Sequence, residues 1–345
     1  MDLSVVIPTK DMAPHLEAMW QSLVFSGLAE HAREIVIVND GSTDDTRELL
    51  DALSQSKKPG TDKLRPLHIA HAGRFNARLI GARHAQAANV LFLDTRLAIP
   101  RGFAQELERA AASHRAIVGS IDIDIARNVF CLYWERSHRF IFRRHFAAVK
   151  NPIVLTPQNF DDYLSGTTVF MAPRDEFIRA CEPFEASDLL SDDMLLMKRM
   201  VETCPITVHP DVRVGWYPRE NFRDFVWRIW DRGPSFAEYH VIERRGAFFY
   251  ALLGGFTVLG GVVVAIFVVP PLGLAAAALG VGAVAASTAL FAKSPSEFVR
   301  MVPLHVATTA AFGAAAVRGT AVNLLRLAKQ RREARKNDGH AKKPA

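Results

Sequence analysis

Two adjacent carboxylates, Asp192 and Asp193, open the run SDDMLLMKRM. Like charges side by side disfavour ionisation, which moves a carboxylate toward the range where it can take a proton from a hydroxyl. The same pair suits a helix start, where acidic side chains meet the positive end of the macrodipole, and both readings can hold together. Asp40 stands in Asn39-Asp40-Gly41-Ser42. There a tight glycine turn can present an acceptor-only carboxylate to the donors of a ligand, although an ordinary Asn-Asp-Gly turn is the plainer alternative. Asp94, followed by Thr95 and Arg96, ends a short apolar run. Cys131, Cys181 and Cys204 are scattered and lack metal-ligand spacing, so they read as reduced structural thiols.

The elements that must position these residues alternate in type. Leu3–Ile7 reads as a buried strand ended by Pro8, and is too short for a targeting helix. His15–Phe25 reads as a helix with Leu16, Met19, Trp20 and Leu23 on one face. Further strands are expected over 34–38, 67–70, 90–93 and 116–121, with helices over 42–53, 75–88 and 102–113 between them. This alternation predicts an α/β domain built on a mainly parallel sheet with both faces covered. Ligands of such sheets bind at the carboxyl ends of the strands, which is where Pro8, Thr9, Asp40 and Asp94 fall.

The second half changes character. In Phe130–Phe146, the residues Phe130, Tyr133, Trp134, Ile141 and Phe142 share a helical face, and Arg136, Arg139, Arg143 and Arg144 lie around it. Such a helix can lie on a membrane or receive an anionic head group; packing on the sheet with a solvated basic face explains it equally. Phe222, Phe225, Val226, Ile229 and Trp230, beside Arg223, Arg228 and Arg232, predict an amphipathic helix at the interface within 221–245. Residues 247–269 and 272–292 carry no charge and are separated by Pro270-Pro271. Each can cross a hydrocarbon core of about 30 Å, so together they predict a transmembrane hairpin. The segment 301–325, with Pro303, His305 and Arg318, is expected to be interfacial or re-entrant. If it spanned, the tail 326–345 would face away from Arg244-Arg245, against the positive-inside trend. That tail holds eight Lys/Arg against Glu333 and Asp338, which equals the net charge of +6 of the whole chain. The remainder is balanced, which argues against nucleic acid and for a lipid-facing cytoplasmic tail.

Four motifs occur in chain order: VVIPTKD (Val5–Asp11), IVNDGSTDDT, NARLIGARHAQAANVLFLDTR and SDDMLLMKRM. Over roughly residues 3–235 they resemble glycosyltransferase family 2, the inverting enzymes of the GT-A fold. The resemblance implies that Pro8, Thr9 and Asp11 belong to the nucleotide loop and that Asp40 receives hydrogen bonds from the base or ribose. It places Arg78 near the donor diphosphate and Asp94 at the first carboxylate of the family's Asp-x-Asp metal motif. Arg96 stands where the second carboxylate is expected. Either Asp94 holds Mg²⁺ or Mn²⁺ with phosphate oxygens and water, or Arg96 itself donates to the diphosphate. Trp216 stands where relatives often carry a metal-binding histidine. Asp193 matches the general base, with Asp192 its neighbour. Arg228, Trp230 and Arg232 are loose counterparts of the region that closes over donor and acceptor.

The expectation is a GT-A catalytic domain over 1–220, an amphipathic segment over 221–245, membrane helices over 246–325 and a basic tail. It would be a multi-pass protein of the inner or plasma membrane with its catalytic domain in the cytoplasm. It would move a sugar from a nucleotide-diphosphate donor to a lipid-linked or membrane-proximal acceptor, in cell-envelope glycan or glycolipid assembly. A catalytically silent relative that binds nucleotide or a partner at the membrane is the alternative.

Overall fold

A computed structural model describes residues 1–185, 193–218, 220–243 and 246–341. Asp192 and Arg244-Arg245 lie outside the described residues. The chain divides into two units, one of Met1–Arg127 with Ser137–Pro218 and the other of Asn128–Arg136 with the chain beyond Pro218.

The first unit is built on nine strands: β1 (Leu3–Thr9), β2 (Glu34–Asp40), β3 (Leu64–Ile69), β4 (Asn89–Leu93), β5 (Leu97–Ala98), β6 (Ala116–Asp122), β7 (Ile153–Leu155), β8 (Val169–Pro173) and β9 (Ile206–Trp216). They form one sheet in the order β3-β2-β1-β4-β8-β6-β9-β5, with β7 also paired to β9. β3, β2, β1 and β4 are parallel neighbours. β8 then inserts antiparallel between β4 and β6, while β6 and β9 run parallel. β5 and β7 each oppose β9. The sheet is therefore mixed, with its parallel half where the alternation of strands and helices predicts it. β5, β7, β8 and β9 are the strands that this alternation does not announce, and β8 is the one that divides the parallel order.

Burial explains the parallel half. β1 and β2 are buried almost throughout, as strands covered on both faces must be. β1 continues beyond the expected stop, since Pro8 pairs with Val38 and Thr9 with Asn39. The helices of this half are α1 (Leu16–Phe25), α2 (Leu28–His31), α3 (Thr46–Ser54), α4 (Gly73–His84) and α5 (Phe103–Ala111). Leu16, Met19, Trp20 and Leu23 of α1 are buried, the face that the spacing selects. α4 lies close on the sheet because Gly81 has no side chain: a Cβ there would be driven into Val6. The basic aromatic segment forms two helices, α6 (Val129–Ile141) and α7 (Arg143–Ala148), rather than one. α8 (Arg174–Cys181) and α9 (Met194–Met200) follow β8.

The second unit contains α10 (Phe222–Ala237), α11 (Ala247–Val268), α12 (Pro270–Ser287) and α13 (Pro295–Ala341). Three stretches are long and apolar enough to cross a membrane: Phe248–Val268, Pro270–Leu290 and Pro295–Gln330, with mean hydropathies of 2.4, 1.8 and 1.2. α13 runs unbroken through Pro303, so the third stretch is one helix and not a re-entrant turn. Its polar residues serve α10. Pro234 has no N–H, so the carbonyl of Trp230 loses its helical donor. Arg318 donates to that carbonyl at 3.3 Å, and its guanidinium lies 5.0 Å from the centre of the Trp230 ring. Asn323 donates to Pro234 O at 2.9 Å, and Arg326 pairs with Glu238 at 2.8 Å.

Candidate active site

The loops after β1, β2 and β3 meet at the carboxyl edge of the sheet and are tied together by side chains. Asp11 has a φ of 51°, a left-handed conformation that an aspartate tolerates better than most residues. Its carboxylate accepts from Thr43 N at 2.7 Å, and its own N–H donates to Ser42 Oγ at 2.9 Å. Asp40 is buried and turned inward. It accepts from Ala72 N at 2.6 Å, Gly73 N at 3.1 Å and His71 Nδ1 at 2.9 Å. Those backbone donors belong to the start of α4, where no local side chain caps the helix. Asp40 thus supplies the cap from another strand and meets the positive end of the helix. Gly41 allows this closure, since a Cβ on it would lie 2.7 Å from His71 N. Thr9 Oγ1 is buried and finds no hydrogen-bond partner among the described residues, leaving a polar atom at the strand end for a ligand to satisfy.

α4, held at its start by Asp40, carries Arg78 one turn before Gly81 and on the buried face. The Arg78 side chain is 4 % exposed and lies between two carboxylates. Nη1 is 3.3 Å from Asp193 Oδ1, and Nη2 is 3.8 Å from Asp94 Oδ1. Each carboxylate has its own threonine. Thr167 Oγ1 donates to Asp193 Oδ1, and Thr168 Oγ1 donates to Asp94 Oδ2 at 3.2 Å. The register explains the placement. β8 runs antiparallel to β4 with Val169 opposite Leu93, so the two residues ahead of Val169 stand beside the end of β4. Asp94 N continues the ladder by donating to Thr168 O at 3.1 Å, a main-chain bond that joins β4 to the Thr167-Thr168 segment. Asp193 occupies the N-cap position of α9, yet its side chain does not cap that helix. The carboxylate is committed to Arg78 and Thr167 instead.

Arg78, Asp94 and Asp193 are therefore brought together, and Thr167 and Thr168 join them without having been singled out in the sequence. Their signal was a pair of hydroxyl residues directly ahead of the apolar run VFMAP. Arg96 is engaged with the main chain of this unit. It donates to the carbonyls of Tyr217 and Pro218, both at 3.2 Å, and so fastens the chain that leaves β9. Arg228, Trp230 and Arg232 belong to α10 of the other unit, where Arg228 lies 3.9 Å from Asp231. Asp192 lies outside the described residues.

Among the described residues, no group of three or more His, Cys, Asp or Glu side chains is placed to hold a metal ion. Among the described residues, the carboxylate at the end of β4 is Asp94. One carboxylate with substrate phosphates and water is nonetheless a coordination set that Mg²⁺ uses, so the residues fit an ion brought in with a diphosphate.

Residues 4–161 match the model of glycosyl transferase family 2. Among solved structures, the chain is similar to the mannosyltransferase PcManGT of Pyrobaculum calidifontis in complex with GDP-Man and Mn²⁺. The identity is 17 %, the match covers 92 % of this chain and 86 % of that one, and the TM-score is 0.54. It also matches residues 1–349 of TarS from S. aureus in complex with UDP-GlcNAc, with 15 % identity, 94 % and 92 % coverage and a TM-score of 0.48. No curated protein sequence matches the chain. The first of these structures shows the fold, a GT-A domain, and the family match covers the strand ends that carry Thr9, Asp40, Arg78 and Asp94.

Proposed function

With a family 2 glycosyl transferase domain over residues 4–161, this chain is a glycosyltransferase, and we propose that it transfers sugar with inversion to a membrane-borne acceptor. One observation carries the reading: a single buried guanidinium, Arg78, lies beside both Asp193 and Asp94, so base and diphosphate ends share one site. Asp193 takes the proton of the acceptor hydroxyl. The freed oxygen attacks the anomeric carbon opposite the nucleotide, the bond from that carbon to the diphosphate oxygen breaks, and its electron pair leaves with the diphosphate. The loops at Thr9, Asp11, Asp40 and His71 form the nucleoside end. Mg²⁺ or Mn²⁺ would be held by Asp94 and would supply positive charge to the leaving diphosphate.

The acceptor side rests on the helices. α11 and α12 carry no charge, meet at Val269, and pack closely at Gly273 of α12, where a Cβ would be driven into Ile266. They suit a transmembrane hairpin whose two ends return to one side, the cytoplasmic side by the basic tail. α13 spends Arg318, Asn323 and Arg326 on α10, which favours an interfacial pair over a third span. On α7, Arg143 and Arg144 are exposed and suit the phosphate of a lipid-linked acceptor. The test is mass spectrometry of lipid extracts from membranes that contain the protein and are fed several nucleotide sugars. A glycosylated lipid is expected, formed more slowly by the double variant Arg143→Glu, Arg144→Glu. Transfer only to water-soluble acceptors would reject the reading.

A further inference from the structure

Arg78 faces the base as closely as it faces the strand-end carboxylate, and this gives it a second task. We infer that Arg78 is a positioning residue for Asp193, holding the base ionised and aimed while linking it to the donor site. This rests on Asp193 being the base.

Three observations carry the inference. Nη1 of Arg78 lies 3.3 Å from Asp193 Oδ1, nearer than Nη2 lies to Asp94, at 3.8 Å. The Arg78 side chain is 4 % exposed, so water screens its charge weakly. Thr167, buried and donating to the same oxygen of Asp193, fixes the carboxylate from the segment ahead of β8. An opposite charge and a hydroxyl donor both favour the ionised carboxylate.

Charged groups on the elements around this site have carboxylate partners of their own. On α4 and the turn after α8, Arg83 is paired with Glu185. Cys181 of α8 is kept as the thiol, burial first and then Glu185 pushing its pKa up while Arg83 and Arg78 pull it down. On α9, Lys198 pairs with Asp161 and Arg199 with Glu202, both at 3.3 Å. Asp94 is the further carboxylate that Arg78 serves in the described structure.

The experiment is the pH profile of acceptor kcat/KM at saturating donor, for wild type, Arg78→Gln, Arg78→Lys and Thr167→Val. Loss of the positive charge favours the protonated base, so the acid limb of Arg78→Gln moves to higher pH, by about one unit or more. Arg78→Lys keeps the charge and keeps the limb near its wild-type position. Thr167→Val leaves every charge in place and moves the limb the same way by less. The proposal is overturned if Arg78→Gln and Thr167→Val lose rate by one factor at every pH with the limb unmoved. It is equally overturned if Arg78→Lys shifts as far as Arg78→Gln. Asp193→Asn separates the two readings: near-wild-type turnover would remove the base itself, whereas an inactive variant with unmoved limbs elsewhere rejects only the role of Arg78.

Discussion

Asp40 stands where the glycine turn leads one to expect it, and its carboxylate is also a structural tie. The sequence puts it on a glycine turn at a strand end, and the structure keeps it there. Its oxygens, however, already accept from His71, Ala72 and Gly73, so its first duty is to hold the start of the helix that carries Arg78. Removing an acceptor from buried backbone donors costs about 1–3 kcal/mol. Asp40→Ala is therefore expected to lower the unfolding free energy by about that much, and to raise the KM for the donor as Arg78 loses its alignment. Chemical denaturation beside donor kinetics checks this. Unchanged stability with lost donor binding would mean that the carboxylate serves the nucleoside alone. Thr167 and Thr168 were not legible beforehand, because a hydroxyl's role depends on the strand opposite it, and β8 breaks the simple alternation. Arg96 was legible as a departure from two carboxylates but not as a main-chain fastener, since its partners Tyr217 and Pro218 lie far along the chain.

At the scale of elements, the parallel half of the sheet follows from runs such as LSVVIPT and EIVIVND, whose burial leaves no alternation to misread. The helix pair α10 and α13 was half visible: the apolar stripe of α10 could be read, while its partner could not. Glycine makes that pairing. A Cβ on Gly319 would be driven into Gly233 O, and one on Gly233 into Ala315 O. Gly313, on the same helix, has nothing within 4 Å of its notional Cβ. Gly319→Ala should therefore destabilise the second unit by about 1–3 kcal/mol through overpacking. Gly313→Ala should be neutral or stabilising, since alanine is the better helix former by about 1 kcal/mol. Thermal unfolding in detergent compares the two. Equal shifts in both variants would contradict the close crossing.

For the whole molecule, a catalytic domain and a set of apolar helices underlie the proposal of chemistry between a water-soluble donor and an acceptor in the bilayer. The family match and the fold support the first half of that statement, and the three apolar stretches make the second half physically available. In the proposed mechanism the base, Asp193, joins them. The most direct measurement is turnover of the cognate nucleotide sugar by wild type and Asp193→Asn in the same membranes, with Mg²⁺ or Mn²⁺ supplied. Asparagine keeps the shape and the contact to Thr167 but cannot take the acceptor proton. A general base contributes about 10²- to 10⁴-fold, so kcat for Asp193→Asn should fall by that factor with donor binding retained. A variant that transfers sugar within about threefold of wild type, far short of that loss, would contradict the account.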